Sequence, residues 1–240
     1  FAATRPCATD ARLSPTACRG TREGLGVVVA LAAFGTIADK KSRLRSELRQ
    51  RRKELGFAVG SEPSRNAASS VAQMALSLPE LRAARCVAVY AARGHELDPS
   101  PLVRALCLSA LVSYPRVEQQ KPPRLSFRTV SPDALVPAAF DLLEPPADAP
   151  LSPPIDVFLV PGLGFDRCGR RIGQGGGYYD AALRASPSAL RVGIGYDFQL
   201  VSEIPVEECD EPLDYIVTPT QKLATLVRAS GSASAKEDIS

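Results

Sequence analysis

Between Pro161 and Asp180 the chain reads PGLGFDRCGRRIGQGGGYYD, and the segments on either side decide what this stretch has to be. Ile155 to Val160, flanked by prolines, is a largely apolar run suited to a buried strand. Tyr178 to Ala185 has the makings of a helix. The glycines at 173, 175, 176 and 177 therefore sit where a strand hands over to a helix, which is a connection of layered α/β folds.

The rest of the chain agrees with that architecture. From Asp39, the expected N-cap, Leu44, Leu48 and Leu55 mark one face of a helix, and a second helix is predicted over Ser64 to Leu78. Apolar runs at Cys86–Ala91, Leu111–Pro115, Leu125–Val130, Arg191–Tyr196 and Tyr215–Thr218 read as strands, with a short helix near Pro101–Leu108. A chain of 240 residues with 45% hydrophobic content can bury a full core, so one domain over residues 39–228 is expected. Asp141 to Pro154, proline-rich and acidic, reads as a connector, and residues 229–240 as a disordered tail. Residues 1–38 carry arginines, small residues and few acids. They read as an N-terminal extension that is disordered, a processed or truncated start, a transit-like segment, or sequence upstream of a natural start near Ile37 to Lys40, with Ala30-Leu31-Ala32 leaving a weak secretory reading open. The expected location is cytoplasmic, or a mitochondrion or plastid if that extension is a transit segment, and Val27–Phe34 is too short to span a membrane.

Charge and cysteines narrow the function. Lysine plus arginine exceed aspartate plus glutamate by only 29 to 26, too little for a general nucleic-acid binder. The surplus is local: Lys40 to Gly56 holds eight basic and two acidic residues. Six cysteines without C-x-x-C spacing and a single histidine, His95, argue against zinc and for reduced thiols. Cys86 and Cys107 read as core residues, and His95 as a loop hydrogen-bonder, since no nucleophile pairs with it.

Glycines at the head of a helix let the backbone approach an anion, and the helix end supplies open N–H groups. The G-x-G-x-G pattern of Gly173, Gly175 and Gly177 matches neither the dinucleotide fingerprint nor the P-loop. Arg170 and Arg171 supply cations, and Asp166 and Asp180 offer hard oxygens suited to magnesium. Lys41, Arg45 and Arg49 recur every fourth residue on the first helix, a stripe that either grips a polyphosphate or faces solvent. Glu96 follows a strand, where ligands sit in open α/β sheets, and is expected to share a crevice with the glycine loop.

The order of these features resembles the 5-formyltetrahydrofolate cyclo-ligase family, also called methenyltetrahydrofolate synthetase. Lys41, Leu44 and Arg45 on an early helix are followed by Glu96, Pro115-Arg116, Phe127-Arg128 and Glu144-Pro145. The loop RIGQGGGYYD and then Glu208-Cys209-Asp210 with Asp214 complete the match, which covers about residues 39 to 226. Cys209 stands where many bacterial relatives carry histidine, and Pro99 where threonine is frequent.

The resemblance implies a three-layer, Rossmann-like sheet with helices on both faces, of the kind shared with sugar-phosphate isomerases and CoA-transferases. It implies an enzyme that closes 5-formyltetrahydrofolate to 5,10-methenyltetrahydrofolate, with ATP as co-substrate and Mg2+ as cofactor, through a phosphorylated formyl intermediate. Carried over, Lys41, Arg45, Arg171, Gly173, Gln174, Gly175, Gly176, Gly177, Tyr178 and Tyr179 would bind ATP. Arg171 and Tyr178 would be catalytic, Glu96 and Tyr178 would meet the folate, and Asp180 with Asp214 would hold the metal, Asp166 and Asp210 being further candidates. Small-molecule partners, no nucleic acid, no membrane, and a monomer or homodimer are expected. Two other readings stay open: a non-catalytic nucleotide- or folate-binding protein, and an RNA-binding protein if the basic stripe faces away from the glycine loop.

Overall fold

Val87, Val157, Leu159, Val192 and Ile194 join one hydrophobic core, whereas Ala88, Phe158, Val160 and Ile216 join another. Successive strand residues point to opposite faces, so this division means that both faces of the sheet are covered. The computed structural model describes residues 35–139 and 142–225. The first core is closed by α2 (Glu62–Leu76), α3 (Pro79–Ala83) and α4 (Ser100–Leu106), through Val71, Ala75, Leu81 and Leu102. The second is closed by α5 (Tyr178–Ala185), through Leu183.

The central sheet has seven strands. β1 (Cys86–Ala88), β2 (Leu111–Gln119), β6 (Val157–Val160), β9 (Leu190–Ile194) and β11 (Tyr215–Val217) pair in parallel in the order β11-β9-β6-β1-β2. Antiparallel β3 (Arg124–Thr129) and β12 (Lys222–Ala224) form its edges. After β1 the chain builds outward through β2 and β3; after β6 it builds the other way through β9 and β11. The order therefore reverses between β1 and β6, and the crevice beyond their carboxyl ends is where an open α/β sheet accepts ligands.

A second, three-stranded sheet lies beside this crevice: β7 (Gly164–Asp166) pairs with β8 (Arg171–Ile172) and with β10 (Leu200–Val201). Against it packs α1 (Ile37–Glu54), whose Leu44 and Leu48 meet Leu163, Ile172 and Ile204. Burying each leucine contributes roughly 1.5–3 kcal/mol, enough to fix the helix against the loop that follows β8.

Several boundaries differ from the expectations. α1 begins at Ile37 because Thr36 is the N-cap: its hydroxyl accepts from Asp39 N–H while Asp39 accepts from Thr36 N–H. Asp39 is thus the reciprocal partner in a capping box. Leu55 caps the other end of the helix and is 45% exposed, so it leaves the apolar face that Leu44 and Leu48 form. The segment after Asp141 is more than a connector, since β5 (Leu143–Glu144) pairs with β4 (Val136–Pro137) and Ser152 bonds Ser113 at 2.9 Å. Cys107 is exposed because it caps the solvent end of α4, whereas Cys86 is buried in β1 as expected. The transit-like segment up to residue 34 and the expected tail at 229–240 lie outside the described residues. Among the described residues no helix is long and apolar enough to cross a membrane.

Candidate active site

α1 delivers its basic stripe to the glycine loop. Arg45 Nε donates to the Gly173 carbonyl at 3.1 Å, and Arg49 donates to the Gln174 side-chain oxygen from Nη2 at 2.8 Å and from Nε at 3.0 Å. Lys41 is buried, and its Nζ reaches Glu207 at 2.8 Å and Asp210 at 2.5 Å. Burial opposes the Lys41 charge, but the two carboxylates outweigh it and hold the pKa above the usual lysine range. The stripe therefore faces the loop, and the condition attached to the RNA-binding reading is not met.

The loop is open where an anion would lie. Gly175 has φ +104° and Gly177 φ +70°, values that side-chain-bearing residues rarely adopt. Gly177 is the N-cap of α5 with no side-chain cap, which leaves the first N–H groups of the helix turned outward. Gly173, Gln174, Gly175, Gly176 and Gly177 lie along one rim, with the Tyr178 ring against Gly176.

Arg171 leaves β8 beneath this rim and donates from Nη2 to both Asp180 oxygens, at 3.0 and 3.1 Å. Its guanidinium carbon lies 5.7 Å from the centre of the Tyr179 ring. The Tyr179 hydroxyl is shut off from solvent, has no partner among the described residues, and has its pKa pushed up by burial. Asp180 also accepts from Glu211 N–H at 3.4 Å, which sets it beside the segment carrying Asp210.

Acidic candidates separate on geometry. Glu207, Cys209 and Asp210 bring one ligand atom each within 4.8 Å of one another. Asp214 does not join them: it precedes β11, where its Oδ2 accepts from the Arg191 N–H at 2.8 Å, so it ties the amino ends of two strands together. Asp166 is also occupied, accepting from the N–H groups of Cys168, Arg170 and Ile204 at 3.0, 3.1 and 2.9 Å. Its carboxylate shapes the turn into β8.

Glu96 follows β1 across the crevice. It lines a cleft of about 290 Å3 together with Arg49, Arg52, Lys53, Arg93 and Gln174, so the cleft opens onto the glycine loop through Gln174. Burial raises the Glu96 pKa, with the Arg52 charge and the Arg93 N–H, 3.3 Å away, pulling it back. His95 lines the same cleft, but its Nδ1 is buried without a partner among the described residues, against its expected role as a loop hydrogen-bonder at that atom.

Sequence reasoning does not assign three further residues: Glu207 comes to the site through a loop and carries no local signal, whereas Arg93 lies three residues before Glu96 on the loop after β1 and shares the position that singles Glu96 out. Arg52 carries a signal as well, because it continues the spacing of Leu44 and Leu48 on the helix face that meets the core.

Residues 37–219 match the model of the 5-formyltetrahydrofolate cyclo-ligase family. The 5-formyltetrahydrofolate cyclo-ligase of Escherichia coli K12 is 34% identical over 181 residues, covering 72% of this chain and 97% of the relative. That of Mycolicibacterium smegmatis is 31% identical over 194 residues, covering 78% and 97%. Among solved structures, the 5,10-methenyltetrahydrofolate synthetase of Aquifex aeolicus superposes with a TM-score of 0.64 at 32% identity, covering 77% of this chain and 92% of that one.

Proposed function

The chain belongs to the 5-formyltetrahydrofolate cyclo-ligase family, and from that premise we propose how its site divides the work. The reaction converts 5-formyltetrahydrofolate to 5,10-methenyltetrahydrofolate. The observation that carries the assignment of residues is the closure of α1 on the glycine loop, Arg45 to Gly173 and Arg49 to Gln174, directly beside the cleft of Glu96.

ATP lies along the loop. Its phosphates are held by backbone N–H groups from Gly173 to Gly177 and by Lys41, Arg45 and Arg171, while Glu96 faces the pterin end of the folate. The formyl oxygen attacks the terminal phosphorus; the new O–P bond forms as the bond to the ADP oxygen breaks, and the electron pair leaves with ADP. The neighbouring folate nitrogen then attacks the formyl carbon, loses its proton, and expels phosphate as the C–O bond breaks. No protein nucleophile is needed, only positioning and charge. Arg171 neutralises the charge that develops on the transferred group, and Tyr178, at the junction of loop and helix, borders the formyl group.

For magnesium the residues fit in part: Asp180 and Asp210 offer hard oxygens on adjoining segments, whereas the Cys209 thiol is a poor ligand for so hard a cation. Asp180 and Asp210, in place of Asp214, are the residues that would hold it, where it would screen the phosphate oxygens.

The test is an assay with 5-formyltetrahydrofolate, ATP and magnesium, followed by the absorbance of methenyltetrahydrofolate. Formation of product that requires ATP is expected; intact binding of both ligands without product would leave the non-catalytic binding protein as the answer.

A further inference from the structure

Arg52 is a buried cation of α1 that the phosphate reading does not use. It is 7% exposed, one turn beyond Leu48, and lines the cleft together with Glu96. Among the described residues its guanidinium has no hydrogen bond and no ion pair, and the group that most favours its charge is Glu96. Its nitrogens are not among the side-chain atoms shut off from solvent without a partner, so water meets them in the open cleft, and a ligand that fills the cleft must supply acceptors in its place. The neighbouring cations are placed differently. Arg45 is bonded to Gly173 and Arg49 to Gln174, while Lys53 is exposed at the rim.

Across the cleft stands Glu96, an acceptor when ionised. A donor and an acceptor facing one cavity complement a flat ring edge that carries a carbonyl oxygen beside N–H groups. They do not complement a carboxylate, which Glu96 would repel and which Lys53 at the rim would attract instead. We propose that Arg52 is a specificity-determining residue of the folate subsite: its guanidinium donates to the 4-oxo oxygen of the pterin while Glu96 accepts from the adjoining ring N–H and amino group. This rests on the cyclo-ligase reading of the site. It also explains why a charged residue occupies a position on α1 that helical spacing assigns to the core.

The experiment compares the dissociation constants of 5-formyltetrahydrofolate and its 4-amino-4-deoxy analogue, in which the carbonyl acceptor is replaced by a donor and ring N3 loses its hydrogen, so that the contribution of Arg52 is read from the change between parent and variant for each ligand. Both are measured on the full chain and on its Arg52→Met and Arg52→Lys variants. The unsubstituted protein prefers the 4-oxo ligand. Arg52→Met weakens the 4-oxo ligand by about 10- to 100-fold, the loss expected for a hydrogen bond from a charged donor, and leaves the 4-amino ligand nearly unchanged. Arg52→Lys keeps part of the preference. A cooperative melt of Arg52→Met without ligand shows that the variant is folded, so that a loss confined to the 4-oxo ligand is read from the site.

Equal weakening of both ligands, or of neither, overturns the proposal. So does a loss that vanishes when the glutamate tail is removed from the ligand, because Arg52 would then serve the tail. Turnover by the unsubstituted protein reports separately on the cyclo-ligase reading, and its failure would leave the ratio of binding constants readable.

Discussion

Arg171 and Asp180 face each other across the glycine loop, with the Arg171 Nη2 3.0 and 3.1 Å from the two carboxylate oxygens. The pair joins β8 to the first turn of α5, so the loop between them is pinned at both ends. Removing either partner should lower ATP-dependent turnover by roughly 100-fold or more, as for other groups that stabilise transferred charge. Since the two act as one unit, Arg171→Ala combined with Asp180→Asn should be little worse than the more damaging single change. Steady-state kinetics of the three variants check this, and losses that multiply would mean that the residues act separately.

Glu96 is held in a surrounding that burial makes unfavourable for its charge, and its pKa is raised in consequence. The folded protein therefore binds that proton more tightly than the unfolded chain does. This stabilising contribution is complete in acid, below the pKa of an ordinary glutamate, and is lost as pH rises through the higher folded value. Glu96→Gln should accordingly be as stable as the parent or more so at neutral pH, with the difference shrinking in acid, while folate binding falls. Thermal melts across pH, paired with ligand titrations, measure both. A neutral-pH destabilisation would contradict the charge assignment.

Lys41 sits between Glu207 and Asp210 and is itself 3% exposed. Lys41→Met leaves two carboxylates facing each other without a cation. Because the Glu207 side chain is 41% exposed, water screens part of the repulsion, and a loss of about 1–2 kcal/mol is expected. Added magnesium should raise the melting temperature of the variant more than that of the parent, since it takes the place of the ammonium group. An equal rise in both proteins would show that the carboxylates do not gather a cation.

Gly175, at φ +104°, has only ordinary contact room at 3.5 Å from the Arg45 guanidinium. Gly175→Ala should thus lose stability through its backbone, by about 1–2 kcal/mol, and weaken ATP binding as the loop shifts. Gly56→Ala, at φ +69° with open space around it at the end of α1, bears comparable strain far from the loop. It should leave ATP affinity unchanged. Calorimetric melts and nucleotide titrations of the two variants separate strain from function.

Much of the fold was legible because its signals are local. Tyr178–Ala185 forms the expected helix to the residue, and the strands that begin at Cys86, Leu111, Arg124, Val157, Leu190 and Tyr215 lie within a few residues of the apolar runs that predicted them. Strand ends were less legible: Cys86–Ala88 is shorter than the apolar run that marks it, and Leu111–Gln119 longer, because pairing with neighbours sets the ends. In the site, the glycines, Arg171, Asp180 and Glu96 could be nominated from residue type and position along the chain. The different settings of Asp210, paired with Lys41, and Asp214, tied to the Arg191 N–H, could not be read in that way, because residues four apart in a loop carry no periodic signal.

By itself, then, the sequence determined that a strand, a glycine loop and a helix follow one another, and that a basic helix precedes them, since dihedral freedom and hydrophobic spacing act over a few residues. Only the tertiary structure decided what that basic helix is for. Contacts spanning well over a hundred positions, Arg45 to Gly173 and Lys41 to Asp210, turn its stripe inward, and the same packing buries Arg52 beside Glu96. Which face of a helix is covered depends on the shape of what it meets, and that is a property of the assembled core.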